Sequence, residues 1–409
     1  MIGRRKVSSI VKQFGTPLYL YDANIILDRA KRIQQAFPNF KILYSIKANP
    51  NPAISKILAD VGMGAGVSSL AEIRLALRLR YPPEEIAFGG PAKRCTDLEE
   101  CIRAKIGMIN VESETELRHL EDLGRHFQIK IPVAIRINTR HRPREAREFM
   151  AGGPSQFGMD EEDVIQKLSK LEHHYIQYEG IHTFIASQVL DFSSIVRHFE
   201  RVAKISKDIS SALNFDLRFI NFGGGFGVPY SPNETHLNLD SLGEQVNSKL
   251  SNIFPDSNSR PRFYIELGRY LVAECGIFLT EILDVKHSRG HDFIITDSGI
   301  NGLSRPAMPW AQQHLCSIIS KSTLQPTGTY DIVGPTCMPS DALCGNTALP
   351  NPEPGDVIAI HNAGAYGWTM SMVFWSSYPT PAEVLFHEGK FSLIRRRLTG
   401  TELFTQALP

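Results

Sequence analysis

Along the first two thirds of the chain, short apolar runs rich in β-favouring residues alternate with longer stretches whose apolar positions recur at helical spacing. The runs are ILYSI (42–46), MGAGV (63–67), IAFGG (86–90), GMINV (107–111), PVAIRI (132–137), GIHTFI (180–185), RFINF (218–222) and FYIEL (263–267). Helical patterns fill the intervals at 51–61, 69–80, 97–105, 113–124, 161–171, 192–213 and 239–253. Strands that alternate with helices in this way predict an α/β fold of the (β/α)8, or TIM-barrel, type. A doubly wound parallel sheet is the alternative.

The rhythm changes after residue 275. FLTEILDVKHS, DFIITD, TYDIVGP, DVIAIHN and KFSLIRRR are short strands at close spacing with Pro and Gly between them. That is the pattern of an all-β, Greek-key-like barrel or sandwich. FGTPLYLY (14–21) reads as one more strand for this second domain. The expected division is a barrel over 24–275 and a β domain built from 1–23 together with 276–409. The stretch 140–158, rich in charge and glycine, is expected as a loop, either plainly solvated or mobile beside a site.

The 409 residues carry 44 Lys and Arg against 43 Asp and Glu. No overall field would draw such a chain to nucleic acid or an anionic membrane. Hydrophobic residues at 42% and charged residues at 21% suit a globular enzyme. No apolar run approaches the roughly 20 residues needed to span a bilayer, and the basic start MIGRRKVSSIVKQFG lacks a signal-peptide core, so the expected location is the cytoplasm. Cys95, Cys101, Cys275, Cys316, Cys337 and Cys344 show neither CxxC pairing nor zinc-ligand spacing. Each is read as a reduced thiol, and no metal site is expected.

In a barrel of this type the loops after the strands converge on one mouth. Lys47 follows the first strand there, where an apolar neighbourhood would lower its pKa and favour imine formation, although a lysine judged by position alone is more often a solvated one. The seventh run leads into Gly223, Gly224, Gly225, Phe226 and Gly227. Their backbone N–H groups can approach a phosphate closely, though a tight turn needs glycine too. The eighth run ends at Glu266, with Gly268 and Arg269 behind it. Such a carboxylate can hold a protonated ring nitrogen or simply pair with Arg269.

Six motifs lie in order along the chain: YSIKANPNPAI around Lys47, GIHTFIASQ at 180–188, NFGGGFG at 221–227, IELGR at 265–269, GPTC at 334–337 and AGAYG at 363–367. Together they resemble those of the alanine-racemase-fold decarboxylases, the family of diaminopimelate and ornithine decarboxylases. The resemblance implies pyridoxal 5'-phosphate as cofactor, joined to Lys47 as a Schiff base. It implies a phosphate site at Gly223, Gly224, Gly225, Ser187 and Tyr366, with Arg269 also among the cofactor-binding residues and Phe184 stacked on the ring. Glu266 would pair with the pyridine nitrogen, so that the ring withdraws the electrons left by departing CO2. Cys337 would reach into the partner subunit's site and help protonate the product carbon, with Tyr366 on the same surface, in a homodimer whose sites are shared. A racemase of this fold would need a tyrosine base in another arrangement. A catalytically silent regulatory homologue would not be expected to keep Lys47, Glu266, Arg269, Cys337 and Tyr366 together.

Departures from the family pattern bear on the substrate. Phe184 stands where relatives usually stack an imidazole, with His182 two residues earlier, and Gly66 stands where they often carry an acidic residue near the lysine. After Cys337 come Met338 and Pro339, where diaminopimelate decarboxylases have Glu and ornithine decarboxylases Asp for the distal amine. A thioether cannot neutralise an ammonium. Asp341 is a nearby substitute. Arg305 in DSGINGLSRPAMPW (297–310) resembles the arginine that binds the distal carboxylate in diaminopimelate decarboxylase, its other reading being a structural ion pair, but Pro309 and Trp310 stand where a tyrosine is expected. With AGGPSQFGMD (151–160), GPTCMPSD and AGAYGWTMS, the chain is similar to the branch that decarboxylates glutamyl groups on carrier proteins or citrate-linked diamino acids in antibiotic and siderophore assembly. The expected substrate is a specialised amino acid or an aminoacyl or citryl conjugate, free or carrier-bound. The alternative is meso-diaminopimelate.

Overall fold

Strand-to-helix turns in the first two thirds of the chain end on residues that can cap a helix. Asn51 accepts from the Ala53 N–H ahead of the helix Pro52–Asp60, Ser69 from Glu72 ahead of Leu70–Arg78, Ser113 from Glu116 ahead of Glu114–Phe127, and Asp191 from Ser194 ahead of Phe192–Ala212. Each cap satisfies an N–H that the helix cannot, and so fixes where the preceding turn ends. The strands so delimited are Phe40–Ser45, Gly64–Val67, Ile86–Phe88, Met108–Val111, Ile131–Asn138, Ile176–His182, Phe219–Gly224 and Arg262–Leu267. All run parallel, and the first pairs with the last, Phe40 opposite Phe263, as well as with the second. The sheet therefore closes into the expected eight-stranded barrel.

The computed structural model describes residues 4–141, 148–256, 258–308, 311 and 313–405. Part of the loop expected at 140–158 lies outside these residues, as do Pro309 and Trp310. The chain divides into two compact units, one of Arg29–Gly227 with His236–Tyr270, the other of Met1–Asp28, Val228–Thr235 and Leu271–Pro409. In the first, the helix expected at 161–171 shrinks to Val164–Leu168, and the sixth strand ends at His182, before the apolar run does. Ala186–Ser187 then pairs with Glu148–Phe149 in a short antiparallel ladder, so that this end of the 140–158 loop is not plainly solvated. Among the described residues no helix is long and apolar enough to cross a membrane.

An aromatic cluster packs the long helix Phe192–Ala212 against the barrel. Phe199 stacks on Phe222 with centroids 4.6 Å apart, and Phe40 meets Phe263 at 5.2 Å and Phe37 at 5.3 Å. Phe226, directly after the glycine run, joins the same group at 6.0 Å from Phe37. The apolar packing beneath the seventh and eighth strands thus extends to the loop that follows them.

In the second unit, the strand Leu18–Asp22 lies inside a mixed sheet, antiparallel to Gly276–Ser288 and parallel to Ala382–His387. His291–Thr296, Gly328–Val333 and Ala342–Leu349 extend the sheet on one side and Lys390–Arg395 on the other, while Val357–Ile360 pairs with both Gly276–Ser288 and Cys316–Ile318. The helix Arg4–Phe14 was not legible in the basic N-terminal segment. It buries Val7 and Ile10 against Leu18, Leu20, Leu279 and Val384. The expectation of six reduced cysteines fails for Cys316 and Cys344, which the structure pairs as a disulfide across 28 residues of sequence that no spacing rule would flag.

Removing the central ring of the aromatic cluster creates a cavity in the barrel unit. Phe199→Ala is expected to cost about 3–5 kcal/mol, read as a lower denaturant midpoint for the barrel transition.

Candidate active site

Lys47 stands in the single 3₁₀ turn Ile46–Ala48 that ends the first barrel strand. The turn is braced on its far side, because the Tyr44 hydroxyl donates to Asn49 O at 2.8 Å and the Asn49 side chain accepts from the Asn51 N–H at 3.2 Å. Lys47 Nζ lies 5.3 Å from the centre of the Phe184 ring. The amine keeps accessible surface yet is ringed by protein, as a side chain in a deep open mouth must be. Lost hydration lowers its pKa, while the negative charge of Glu266 acts in the opposite direction.

Glu266, on the eighth strand, is the nearest organised acid. Its Oε1 accepts from Asn221 Nδ2 at 2.7 Å and lies 3.5 Å from His182 Nε2. Asn221 Oδ1 in turn accepts from the Gly223 N–H at 3.0 Å, tying the carboxylate to the glycine run. Burial raises the Glu266 pKa, and Lys47 and the Asn221 amide oppose that rise. His182 is fully buried, and its pKa is driven well below the ordinary value, first by burial and then by Arg136, Lys47 and Lys93. It is a neutral neighbour of the carboxylate, not an ion-pair partner.

Gly223 and Gly225 have φ of 66° and 94°, and an added Cβ on them would strike the carbonyls of Thr183 and Ala186. A Cβ on Gly224 would strike the Glu266 carbonyl. Only glycine fits this crossing of the sixth, seventh and eighth strands. The carbonyl of Gly225 accepts from the Val189 N–H at 2.8 Å, which ties the glycine run to the segment that follows the sixth strand. Ser187 Oγ accepts from Arg269 Nη2 at 3.2 Å beside them. Hydroxyl, guanidinium and glycine backbone thus lie close together at this end of the barrel.

Around this centre is a shell of buried charge that sequence reasoning missed. Arg136 Nη1 donates to Glu112 Oε1 at 2.6 Å, and Lys93 Nζ meets Glu116 Oε1 at 2.7 Å. Glu112 also accepts from the N–H groups of Gly90 (2.6 Å) and Gly158 (3.2 Å), and the Arg136 guanidinium lies 4.8 Å from the Phe157 ring centre. The one signal available was a run of polar residues at successive strand ends: Asn110, Arg136, His182, Asn221 and Glu266.

Residues 23–273 match the family model described as "Pyridoxal-dependent decarboxylase, pyridoxal binding domain". The chain belongs to this family. It is 33% identical over 396 residues to a diaminopimelate decarboxylase of Aquifex aeolicus, covering 96% of this chain and 91% of the relative. It is 30% identical over 417 residues to the L-glutamyl-[BtrI acyl-carrier protein] decarboxylase of Niallia circulans, covering 100% and 97%. The crystal structure of diaminopimelate decarboxylase from Helicobacter pylori complexed with L-lysine matches with a TM-score of 0.88 at 32% identity, covering 98% of each chain.

The residues present fit the pyridoxal phosphate on which this decarboxylase depends. The glycine run leaves no Cβ in the way of a close approach, and both amide atoms of Asn110 and both ring nitrogens of His182 are buried without hydrogen-bond partners. The barrel unit brings together Lys47, Phe184, Ser187, Gly223, Gly224, Gly225, Glu266 and Arg269. The other named residues lie in the second unit. Cys337 is exposed on the loop between Gly328–Val333 and Ala342–Leu349, with Met338 half-buried behind it. Tyr366 has φ 56° in the tight segment after Val357–Ile360.

Asp341, expected as a substitute carboxylate for a distal amine, is held by the backbone of its own unit. Its Oδ1 accepts from the Ile300 N–H at 2.7 Å and its Oδ2 from Thr336 at 2.9 Å. It is 3% exposed and clamps two loops to each other. Arg305 is 2% exposed, donates to His314 Nε2 at 2.8 Å and lies over the Tyr230 ring at 4.0 Å. His314 Nδ1 donates to His361 O at 2.6 Å, which leaves Nε2 as the acceptor. Neither the disulfide nor this buried guanidinium–imidazole contact has a local sequence signature.

The buried imidazole of His198 gives a pH dependence to the barrel. Burial lowers its pKa from 6.5 to about 4, while its hydrogen bond to Phe222 O acts the other way. A depressed histidine pKa means that the unfolded chain binds the extra proton first. Its stabilising effect is complete above about pH 6.5 and is lost as pH falls toward about 4. Between about pH 7 and about pH 5, the wild type is expected to lose about 1–2 kcal/mol more stability than His198→Asn, measured by urea unfolding at each pH.

Proposed function

We propose that this decarboxylase acts on an aminoacyl conjugate whose distal end carries no free ammonium, such as a glutamyl group on a carrier protein or a citrate-linked diamino acid. The observation that carries this reading is the Cys337 loop. Met338 offers a thioether, and both oxygens of Asp341 are engaged by backbone N–H groups. Residues 334–341 therefore present no carboxylate to a distal amine, and a charged amine there would be left unpaired. The similarity to the carrier-protein glutamyl decarboxylase supports the same direction.

Bound pyridoxal phosphate supplies the electron sink for the bond to CO2. Lys47 anchors it, and a lowered amine pKa keeps more of Nζ unprotonated and nucleophilic. Glu266, oriented by Asn221, holds a proton on the ring nitrogen. Gly223, Gly224, Gly225, Ser187 and Arg269 take the phosphate, with Tyr366 completing that site. Phe184 covers one ring face and excludes water, offering its π surface without a polar atom. The β unit completes the site in a homodimer, in which Cys337 delivers a proton to the product carbon. The exposure of Cys337 in the single chain accords with that role.

Decarboxylation of meso-diaminopimelate is the second reading, favoured by the similarity to two diaminopimelate decarboxylases. CO2 release is to be compared on meso-diaminopimelate, ornithine, lysine, arginine, glutamyl-carrier protein and citryl-diaminopropionate. A conjugate is expected to exceed meso-diaminopimelate in kcat/KM by at least about tenfold, with Met338→Glu narrowing the gap. Equal or better turnover of meso-diaminopimelate by the wild type would overturn the conjugate reading. Lys47→Ala is expected to abolish the visible absorbance band of the bound cofactor.

Shared sites make a further prediction. Lys47→Ala and Cys337→Ala chains, each inactive alone, are expected to regain measurable activity when unfolded, mixed and refolded together. No recovery despite a dimer of normal size by sedimentation would place Cys337 outside its neighbour's site.

A further inference from the structure

Six of the eight barrel strands send one apolar side chain each into a common interior cluster: Leu43, Ala87, Met108, Ala134, Phe219 and Tyr264. Side chains two residues apart on a strand share a face. The next inward positions toward the mouth are therefore Ser45, Gly89, Asn110, Arg136, Asn221 and Glu266. Asn221 and Glu266 bear this out, being hydrogen-bonded to each other at 2.7 Å across that level. Asn110 stands in the same ring, in the fourth barrel strand, at 1% exposure.

Neither Oδ1 nor Nδ2 of Asn110 has a hydrogen-bond partner, although its main-chain carbonyl accepts from Lys93 Nζ at 2.8 Å. Gly89 borders the amide, since a Cβ built there would lie 3.5 Å from Nδ2. The cations nearby are already matched, Arg136 with Glu112 and Lys93 with Glu116. His182, also without a hydrogen bond, stands 3.5 Å from Glu266. A buried amide with no partner opposes folding. In a ligand-binding interior, such a group points to a partner that the chain itself does not supply.

Pyridoxal phosphate brings four polar groups. The assignments above give its phosphate to the glycine run with Ser187 and Arg269, its ring nitrogen to Glu266 and its aldehyde to Lys47, which leaves the hydroxyl on ring carbon 3. We propose that Asn110 is a cofactor-binding residue whose Nδ2 donates a hydrogen bond to that ring oxygen. The proposal rests on those assignments. A protonated ring nitrogen withdraws electrons and makes the 3-hydroxyl acidic, so its oxygen is bound as an acceptor. An uncharged N–H donor meets it without adding a fourth cation to an interior that already holds Lys47, Arg136 and Lys93.

Binding alone tests this. Cofactor-free wild type, Asn110→Leu, Asn110→Asp and Asn110→Ala are titrated by fluorescence with pyridoxal phosphate and with 3-deoxypyridoxal phosphate, which lacks the ring oxygen. Each Asn110 change is expected to raise the dissociation constant for pyridoxal phosphate about three- to tenfold, the scale of one neutral hydrogen bond. The constant for the deoxy analogue should stay within about twofold of the wild-type value, because the lost contact is already absent there. Asn110→Asp, nearly the same in shape but without N–H donors, should lose at least as much as Asn110→Leu. Thermal melts verify folding, and if Asn110→Asp does not fold, Asn110→Leu and Asn110→Ala carry the test. Equal losses for both ligands overturn the proposal, since a merely structural role would weaken both alike. Lys47→Ala and Glu266→Gln are the controls and should weaken both ligands. Unchanged binding in these two overturns the assignments on which the proposal rests, whereas unchanged binding confined to the Asn110 variants overturns the proposal alone.

Discussion

A buried carboxylate needs something to hold it, and the barrel interior is organised around that need at Glu266. Burial works against its charge. The Asn221 amide and the field of Lys47 work in its favour. Asn221 also binds the Gly223 N–H, so the group that orients the acid fixes the start of the anion-binding glycines. The acid and the glycine run are therefore joined through one asparagine.

The strand ends supply this unit because the barrel aligns them. Gly224 stands opposite Glu266 in the ladder and Asn221 opposite His182, so side chains far apart in sequence share one level at the mouth. The aromatic cluster of Phe199, Phe222 and Phe226 supports that level from beneath. At the rim, the Glu148–Phe149 and Ala186–Ser187 ladder brings a long loop against the segment that carries Ser187. The buried Arg136–Glu112 pair is joined to the same loop through the Gly158 N–H.

The β unit uses its polar groups differently. Asp341 closes its own loop onto the backbone at Ile300, and Arg305 is sandwiched between His314 and Tyr230. The acid nearest to Met338 in the same loop is thereby committed to structure.

By itself the sequence determined the barrel, because its apolar runs are short and regular and its helix starts carry Asn, Ser or Asp caps. Its six ordered motifs also pointed to the cofactor class, through the family they resemble. Other features depend on residues that meet only after folding. The Arg136–Glu112 and Lys93–Glu116 pairs join neighbouring strands and loops, the Cys316–Cys344 link spans 28 residues, and the binding of Asp341 to backbone is invisible in a side-chain pattern. The N-terminal helix escaped notice because its few apolar positions are interleaved with basic residues, and only the sheet it covers gives them a reason to be buried.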